Sequence, residues 1–261
     1  ILLVFVFIRE RPEAMEERPT RESMPYRQKI RTELSNRPYR FVISLYLFAW
    51  LALQMVMVVL VHYANYYMRI PEDYCSVFGI NLPPMSVILL GVQGTTLIFL
   101  VVWSVVAHHL EKRTVYIIGA TIWLTVLLAL SYITPNMRML VFPLSVLAGA
   151  GVAVAYLIPW SMMADVIEVD EWETGFRREG IFYGFMVFLQ KVCIAFAIFF
   201  VGQALARTGY ITPTDAILAP VQADQVLWAI RLFIGPIPAV ILVVCSCSVD
   251  NVCSAYLTPK D

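Results

Sequence analysis

Lys191 is the residue in this sequence whose type and position most directly suggest chemistry. It stands about ten residues into an apolar run that is long enough to be a membrane helix. An ammonium group at the centre of such a helix costs about 2.5–3.5 kcal/mol on insertion scales, so it is expected to face a water-filled cavity or an acidic partner. The alternative is a structural lysine that pairs with backbone carbonyls or reaches back to the membrane interface.

The helix face that carries Lys191 is predicted to be lined by small and aliphatic side chains. At helical spacing these are Gly184, Val187, Ala195, Ile198 and Gly202. Small side chains leave room for a cavity or for a close crossing with another helix. No aspartate or glutamate lies within the six apolar segments given below, so a partner for Lys191 must come from a missing half of the protein, from a substrate or from water.

A charge-dense stretch precedes the apolar run that holds Lys191, and it is interpreted as a linker. Its charged residues are Asp165, Glu168, Asp170, Glu171, Glu173, Arg177, Arg178 and Glu179. Opposite charges at this density can act as a latch between two conformations. The alternative is a solvated loop whose surface ion pairs contribute about 0–1 kcal/mol each. The sequence leaves these two interpretations open.

Other polar and small residues inside the apolar segments carry weaker signals. Small residues at Gly149–Gly151, and the spacing from Gly180 to Gly184, permit close helix packing, for which general membrane packing is the simpler interpretation. Three glutamines are intramembrane polar groups without a clear pattern: Gln54, Gln93 and Gln203.

Composition indicates an integral membrane protein. Hydrophobic residues make up 60% of the 261 residues and charged residues 15%, with a mean hydropathy of +0.74. Soluble domains average about 45–50% apolar and about 25% charged residues. The net charge of zero suggests no nucleic-acid partner. The sequence contains no HExxH, GxSxG, Walker or paired CxxC motif, so neither an enzyme nor a metal site is expected.

Six apolar segments are each long enough to cross a membrane as a helix, which predicts an all-α membrane bundle over 41–249. The segments are approximately 41–64, 84–107, 114–133, 139–164, 181–206 and 226–249. Residues 1–8 are interpreted as the tail of a preceding transmembrane helix, and 9–40 as a linker between two bundles. The chain is therefore expected to be a fragment, ending in an atypical tail at 250–261.

Charge in the linkers predicts the orientation in the membrane. Thirteen of the nineteen Lys and Arg residues fall in the linkers at 9–40, 108–113 and 165–180, and three fall in the alternate linkers. Because cytoplasmic loops carry the excess of positive charge, the first set and the C-terminus are predicted to be cytoplasmic, in a cell-membrane protein.

The stretch from Pro159 to Gly180 resembles a motif of the glycoside–pentoside–hexuronide:cation symporters, the melibiose-permease-like branch of the major facilitator superfamily. The matching residues are Pro159-Trp160, Ala164-Asp165, Asp170-Glu171-Trp172-Glu173-Thr174-Gly175, Arg177 and Glu179-Gly180, together with Asn36-Arg37-Pro38-Tyr39 at the entry to the first full segment. The resemblance implies that the six segments are helices seven to twelve of a twelve-helix fold. The N-terminal six-helix bundle would then be a partner within the same protein.

The resemblance also implies a site. Lys191 matches the family's helix-eleven lysine near the cation and substrate sites, and Tyr156 occupies the position of an aromatic that stacks on sugars. Met186, Val187 and Gln190 are the other candidate substrate or coupling residues. Met186 and Val187 stand where sugar carriers have polar residues, which argues against a plain sugar.

A cytoplasmic gate is expected from Asp165, Glu171, Arg177, Arg178 and Glu179. The implied function is symport of a sugar, glycoside or related small solute coupled to Na⁺ or H⁺. No other cofactor is expected, and the ligands of the cation would lie mostly in the missing half. The alternatives are a lysolipid symporter of the same family and a non-transporting membrane subunit.

Overall fold

Six long helices make up most of the computed structural model, which describes residues 37–70, 76–77, 80–175, 179–213, 220–244 and 246. The helices are α1 (Arg37–His62), α2 (Pro84–His109), α3 (Lys112–Tyr132), α4 (Val141–Thr174), α5 (Glu179–Arg207) and α6 (Asp224–Ile234). Helix α1 continues into a π-helical turn, Tyr63–Tyr67, and a 3₁₀ turn, Pro135–Leu140, leads into α4. Strands β1 (Ser76–Val77) and β2 (Ile80–Asn81) form an antiparallel pair. After a break at Gly235, residues 236–244 are helical again.

The six helices are long and apolar enough to cross a membrane, which confirms the predicted all-α membrane fold. The candidate spans are Pro38–Tyr67, Pro84–His109, Lys112–Tyr132, Pro135–Trp172, Glu179–Arg207 and Asp224–Val244. Two predicted regions, 1–8 and 250–261, lie outside the described residues, as does all of 9–40 except its last four residues.

Helix α4 lies at the centre of the packing, against α2 on one side and α3 on the other. Helix α1 packs on α5 and α4, and α6 contacts α1, α3 and α5. The main apolar core is built mostly from α1, α3 and α4, and α2, α5 and α6 also contribute buried side chains to it. A second, smaller cluster joins the first turns of α1 to α4 and α5, and it includes the fully buried side chains of Tyr39, Met163 and Phe182.

Glycines in the middle of α4 allow its neighbours to approach closely. A Cβ atom on Gly149 would lie 2.5 Å from the carbonyl oxygen of Val92 in α2, and one on Gly151 would lie 2.5 Å from Cβ of Trp123 in α3. The close packing proposed for Gly149–Gly151 is therefore present. A Cβ on Gly180 or Gly184 would meet nothing within 4 Å, so that pair makes no close contact within the described part of the chain.

The interpretation of residues 165–180 as a linker is wrong over most of its length, because α4 runs on to Thr174. Gly175 ends the helix in the left-handed region, with φ of +69°, a conformation that glycine adopts at little steric cost. The 34 residues of α4 correspond to about 51 Å of helix, against a hydrocarbon core of about 30 Å. The charged residues from Asp165 to Glu173 therefore extend α4 beyond the membrane and do not form a loop.

At the opposite end of the bundle, Arg231 of α6 closes the C-terminus of α3. Its Nε and Nη2 donate hydrogen bonds of 3.2 Å and 2.7 Å to the carbonyl oxygen of Ser131, and its guanidinium lies 5.3 Å from the ring centre of Tyr67. Tyr63 donates a 2.6 Å bond to the neighbouring carbonyl of Leu130. These side chains satisfy carbonyls that a helix end leaves without partners.

Candidate functional site

Lys191 lies on the open face of α5. The opposite face is buried in the bundle through Phe182, Met186, Ala197, Val201 and Leu205. The residues predicted to share the face of Lys191 are all exposed: Gly184, Val187, Ala195, Ile198 and Gly202. Lys191 is twelve residues from Glu179 and sixteen from Arg207, which is about 18 Å and about 24 Å along the helix. It makes no hydrogen bond or ion pair with the described residues.

The other candidates near Lys191 fall on different faces of α5. Met186 is fully buried against α1 and α4, whereas Val187 is 37% exposed on the side of Lys191. Gln190 is half-buried. The structure therefore places Val187, and not Met186, on the surface that Lys191 presents.

An aromatic cluster joins Tyr156 to α1 and α5. The ring of Tyr156 lies 5.2 Å from Trp50 at an interplanar angle of 84°, and Trp50 contacts Tyr46 at 5.9 Å. Tyr46 in turn contacts Trp160, which stacks on Tyr183 at 5.4 Å. The sequence identifies Tyr156 as a candidate and Trp160 as a motif residue, but it does not predict their ring contacts with α1 and α5, because those depend on how three helices pack.

The Tyr46 side chain lies in the middle of this aromatic cluster, between Trp50 and Trp160, and is fully buried. Its hydroxyl makes no hydrogen bond within the described part of the chain. Trp50 and Tyr156 are half-buried and Trp160 is 39% exposed. The cluster is therefore buried at Tyr46 and partly accessible at Trp50, Tyr156 and Trp160.

An ion pair joins α3 and α4 at the charged end of the bundle. The Nζ of Lys112 lies 2.8 Å from Oδ1 and 2.6 Å from Oδ2 of Asp165, and it also donates to the carbonyl oxygen of Ser161 at 3.3 Å. Sequence reasoning grouped Asp165 with the gate residues and missed Lys112. The available signal was a lysine at the start of α3 and a charged stretch at the far end of α4, the next helix in sequence.

The structure describes only some of the other residues expected in the cytoplasmic gate. Asp170 is buried, and Glu171 and Glu179 are half-buried. Arg177 and Arg178 lie outside the described residues. The structure thus brings Asp165 to a partner in its own bundle.

Removing the ion pair is expected to weaken the contact between α3 and α4 slightly. The two side chains are 33% and 49% exposed, so solvent screening limits the contribution of the pair to about 1 kcal/mol or less. Lys112→Ala or Asp165→Asn should lower the melting temperature of the purified protein by about 2–4 °C or less in low salt, and 1 M salt should reduce the difference.

Glu168→Gln, three residues along α4 from Asp165, is the matched control, because Glu168 is exposed and has no partner among the described residues. An equal loss in the control, or a loss that persists unchanged in 1 M salt, would contradict a specific ion pair.

The sequence matches the MFS/sugar transport protein family over residues 1–249. It is 41% identical over 221 residues to an uncharacterized symporter of Synechocystis sp., covering 85% of this chain and 39% of that protein. It is 31% identical over 219 residues to an Escherichia coli protein with the provisional name 2,3-dihydroxypropane-1-sulfonate exporter, covering 83% of this chain and 43% of that protein. It is 24% identical over 238 residues to sodium-dependent lysophosphatidylcholine symporter 1-A of Danio rerio, covering 90% of this chain and 41% of that protein.

The chain spans about two-fifths of the length of these relatives, 39–43%. All three relatives are named as transporters. The Pro159–Gly180 motif predicts a symporter family that agrees with this match, which covers most of the chain. The six membrane-length helices also fit that family. The chain therefore belongs to the MFS/sugar transport protein family.

Proposed function

We propose that this chain forms one bundle of a symporter that couples the movement of Na⁺ or H⁺ to that of a small hydroxylated solute. The observation that carries the proposal is Lys191, a cation midway along a membrane-length helix, on a face that the described helices leave open. A second six-helix bundle, N-terminal in the same polypeptide, would cover that face. The protein would lie in the cell membrane with residues 9–40 and its C-terminus in the cytoplasm.

In this proposal the two bundles rock about a site near the middle of the membrane. Carboxylates of the second bundle would hold the coupling cation and would face Lys191. Bringing Na⁺ or H⁺ to those carboxylates changes the charge that balances the ammonium, so cation occupancy alters how strongly Lys191 attracts a substrate. Lys191 would in this way couple the two ligands through charge balance.

The proposed gate has two parts: one ion pair within this bundle, and charged residues that would contact the second bundle. The Lys112–Asp165 pair joins two helices of the same bundle, so it would hold the extended end of α4 in place as the bundles move. Glu171, Arg177, Arg178 and Glu179 would form the charge contacts between bundles that break and reform. A rigid α4 extension gives those contacts a fixed position.

The relatives' names suggest the chemistry of the substrate. A dihydroxypropane sulfonate and a lysophosphatidylcholine both combine an acidic oxygen-rich group with a glycerol-like or three-carbon hydroxylated part. A negative group suits Lys191, and Tyr156 with Trp50 offers ring surfaces to an adjacent carbon skeleton. We propose a small organic anion with hydroxyl groups as the substrate. A lysolipid is the second candidate, favoured by the apolar Val187 beside Lys191.

Uptake into proteoliposomes tests the proposal. The polypeptide carrying both bundles is reconstituted, and accumulation of labelled 2,3-dihydroxypropane-1-sulfonate is followed under an inward Na⁺ gradient, an inward proton gradient or neither. Accumulation that depends on one gradient and collapses with the matching ionophore is expected. Accumulation of labelled lysophosphatidylcholine alone would favour the second candidate. Failure of both probes to accumulate under either gradient would contradict symport and favour a non-transporting membrane subunit.

A further inference from the structure

We infer that Gln54 of α1, together with Trp50, recognises the uncharged hydroxyl groups of the substrate and so sets its specificity. This inference rests on the proposed function and adds a residue to the site of Lys191 and Tyr156. It divides recognition between two helices: α5 would bind the acidic group of the substrate, and α1 would bind the hydroxylated part.

Gln54 lies near the middle of the span Pro38–Tyr67, where a carboxamide is out of place in lipid. Its side chain is half-buried and makes no hydrogen bond with the described residues. Moving an amide from water into an apolar environment without a compensating hydrogen bond costs about 1–3 kcal/mol by protein mutational measurements. The residues before and after it are the buried Leu53 and Met55. A polar side chain in this position is best accounted for by a wet, ligand-accessible surface.

Trp50 precedes Gln54 by one helical turn, so the two side chains lie on the same side of α1. The indole of Trp50 is held edge-to-face against Tyr156 of α4, and both rings are half-buried. The rings thus present apolar surface next to the carboxamide. This combination suits a short carbon skeleton that carries hydroxyl groups.

The hydrogen-bonding chemistry of the Gln54 carboxamide and the Lys191 ammonium explains why they would bind different parts of the substrate. A carboxamide both donates and accepts hydrogen bonds, which matches an uncharged hydroxyl, whereas an ammonium only donates and favours an anion. Helices α1 and α5 pack against each other, and packed helices lie about 8–10 Å apart. Lys191 and Gln54 both stand near the middle of their spans, so a solute that binds Lys191 on the open face of α5 would reach Gln54 by extending around α5 towards α1.

A pair of probes separates the two roles. The first is 2,3-dihydroxypropane-1-sulfonate, and the second is propane-1-sulfonate, which keeps the anion and lacks the hydroxyls. Dissociation constants for both are measured on the purified full-length protein, with gradient-driven uptake measured in parallel. Gln54→Met, which keeps the length of the side chain and removes its hydrogen bonds, is compared with Gln93→Met. Gln93 is the control because it is also an intramembrane glutamine, on the exposed face of α2.

Gln54→Met is expected to weaken binding of the dihydroxy probe at least tenfold, roughly the effect of one lost hydrogen bond to a buried partner. Binding of propane-1-sulfonate, and the concentration of cation that gives half-maximal uptake, should stay within twofold of the wild type. Gln54→Asn, which keeps the amide, should retain part of the preference, and Gln93→Met all of it.

Several outcomes would overturn the inference. Equal weakening of both probes by Gln54→Met would indicate a general packing role, and no weakening of either would remove Gln54 from the site. An equal effect of Gln93→Met would show that the change is not specific. If the wild type binds and transports neither probe, the proposed small-anion function itself fails, and the inference fails with it. Normal wild-type uptake with an unchanged Gln54→Met variant refutes the inference alone.

Discussion

Lys191→Met is expected to abolish gradient-driven accumulation of substrate while the protein remains folded. The expected loss in initial rate is at least about 100-fold, which corresponds to about 2.8 kcal/mol at about 1.4 kcal/mol for each factor of ten. The reason is that the proposed coupling depends on a single positive charge midway along α5. Methionine fills a similar volume without that charge.

The same substitution is not expected to lower stability, because Lys191 makes no hydrogen bond or ion pair within the described part of the chain. A lysine at the centre of a membrane helix costs about 2.5–3.5 kcal/mol on insertion scales. Removing it should leave the melting temperature of the purified protein unchanged or higher. A structural lysine would show the reverse, with stability lost and residual transport in proportion to the folded fraction.

Two controls make this prediction specific. Lys191→Arg keeps the charge and should retain a measurable fraction of coupled uptake, since a guanidinium still attracts an anion but differs in shape and hydration. Exchange of substrate without a cation gradient separates coupling from binding: loss of accumulation with retained exchange would assign Lys191 to coupling alone. Full accumulation by Lys191→Met at the wild-type rate would contradict both roles.

The membrane fold follows from the sequence because a span needs only length and hydrophobicity. Six apolar runs met both conditions, and the helices lie where those runs lie. The ends of the helices were less predictable. Hydropathy cannot distinguish a solvated helix from a loop, so it predicts a linker from Asp165 onwards, where α4 in fact continues to Thr174. Gly175, whose left-handed backbone ends α4, was the local signal for the true boundary.

Contacts between helices are the part of the site that the sequence predicts least well. Tyr156 came from a motif resemblance, but Trp50 and Tyr183 join its cluster only because α1, α4 and α5 converge. Lys112 meets Asp165 across two helices that are adjacent in space, and neither residue indicates the other by sequence spacing. Glycine spacing in the sequence likewise shows only where helices could approach closely. In the structure Gly149 and Gly151 lie at close helix contacts, whereas Gly184 has no such contact among the described residues.

Gly151→Val is expected to prevent α3 and α4 from packing and to leave little folded protein. A Cβ atom at position 151 would lie 2.5 Å from Cβ of Trp123 and 2.9 Å from both its Cα and its backbone nitrogen. Two of these three atoms belong to the backbone of α3, so rotating or shortening the Trp123 side chain cannot relieve the clash. The helices would have to separate, which would open the core around Trp123, a side chain that is only 2% exposed.

The expected cost exceeds about 3 kcal/mol, since overpacking alone typically costs about 1–3 kcal/mol and backbone displacement adds to it. A total stability of about 5–15 kcal/mol leaves little margin for such a loss. The checks are the yield of monodisperse protein after detergent extraction and its melting temperature, with Gly94→Val as the matched control. A Cβ on Gly94, in α2, would meet nothing within 4 Å. Equal behaviour of the two variants would show that close approach at Gly151 does not hold α3 and α4 together.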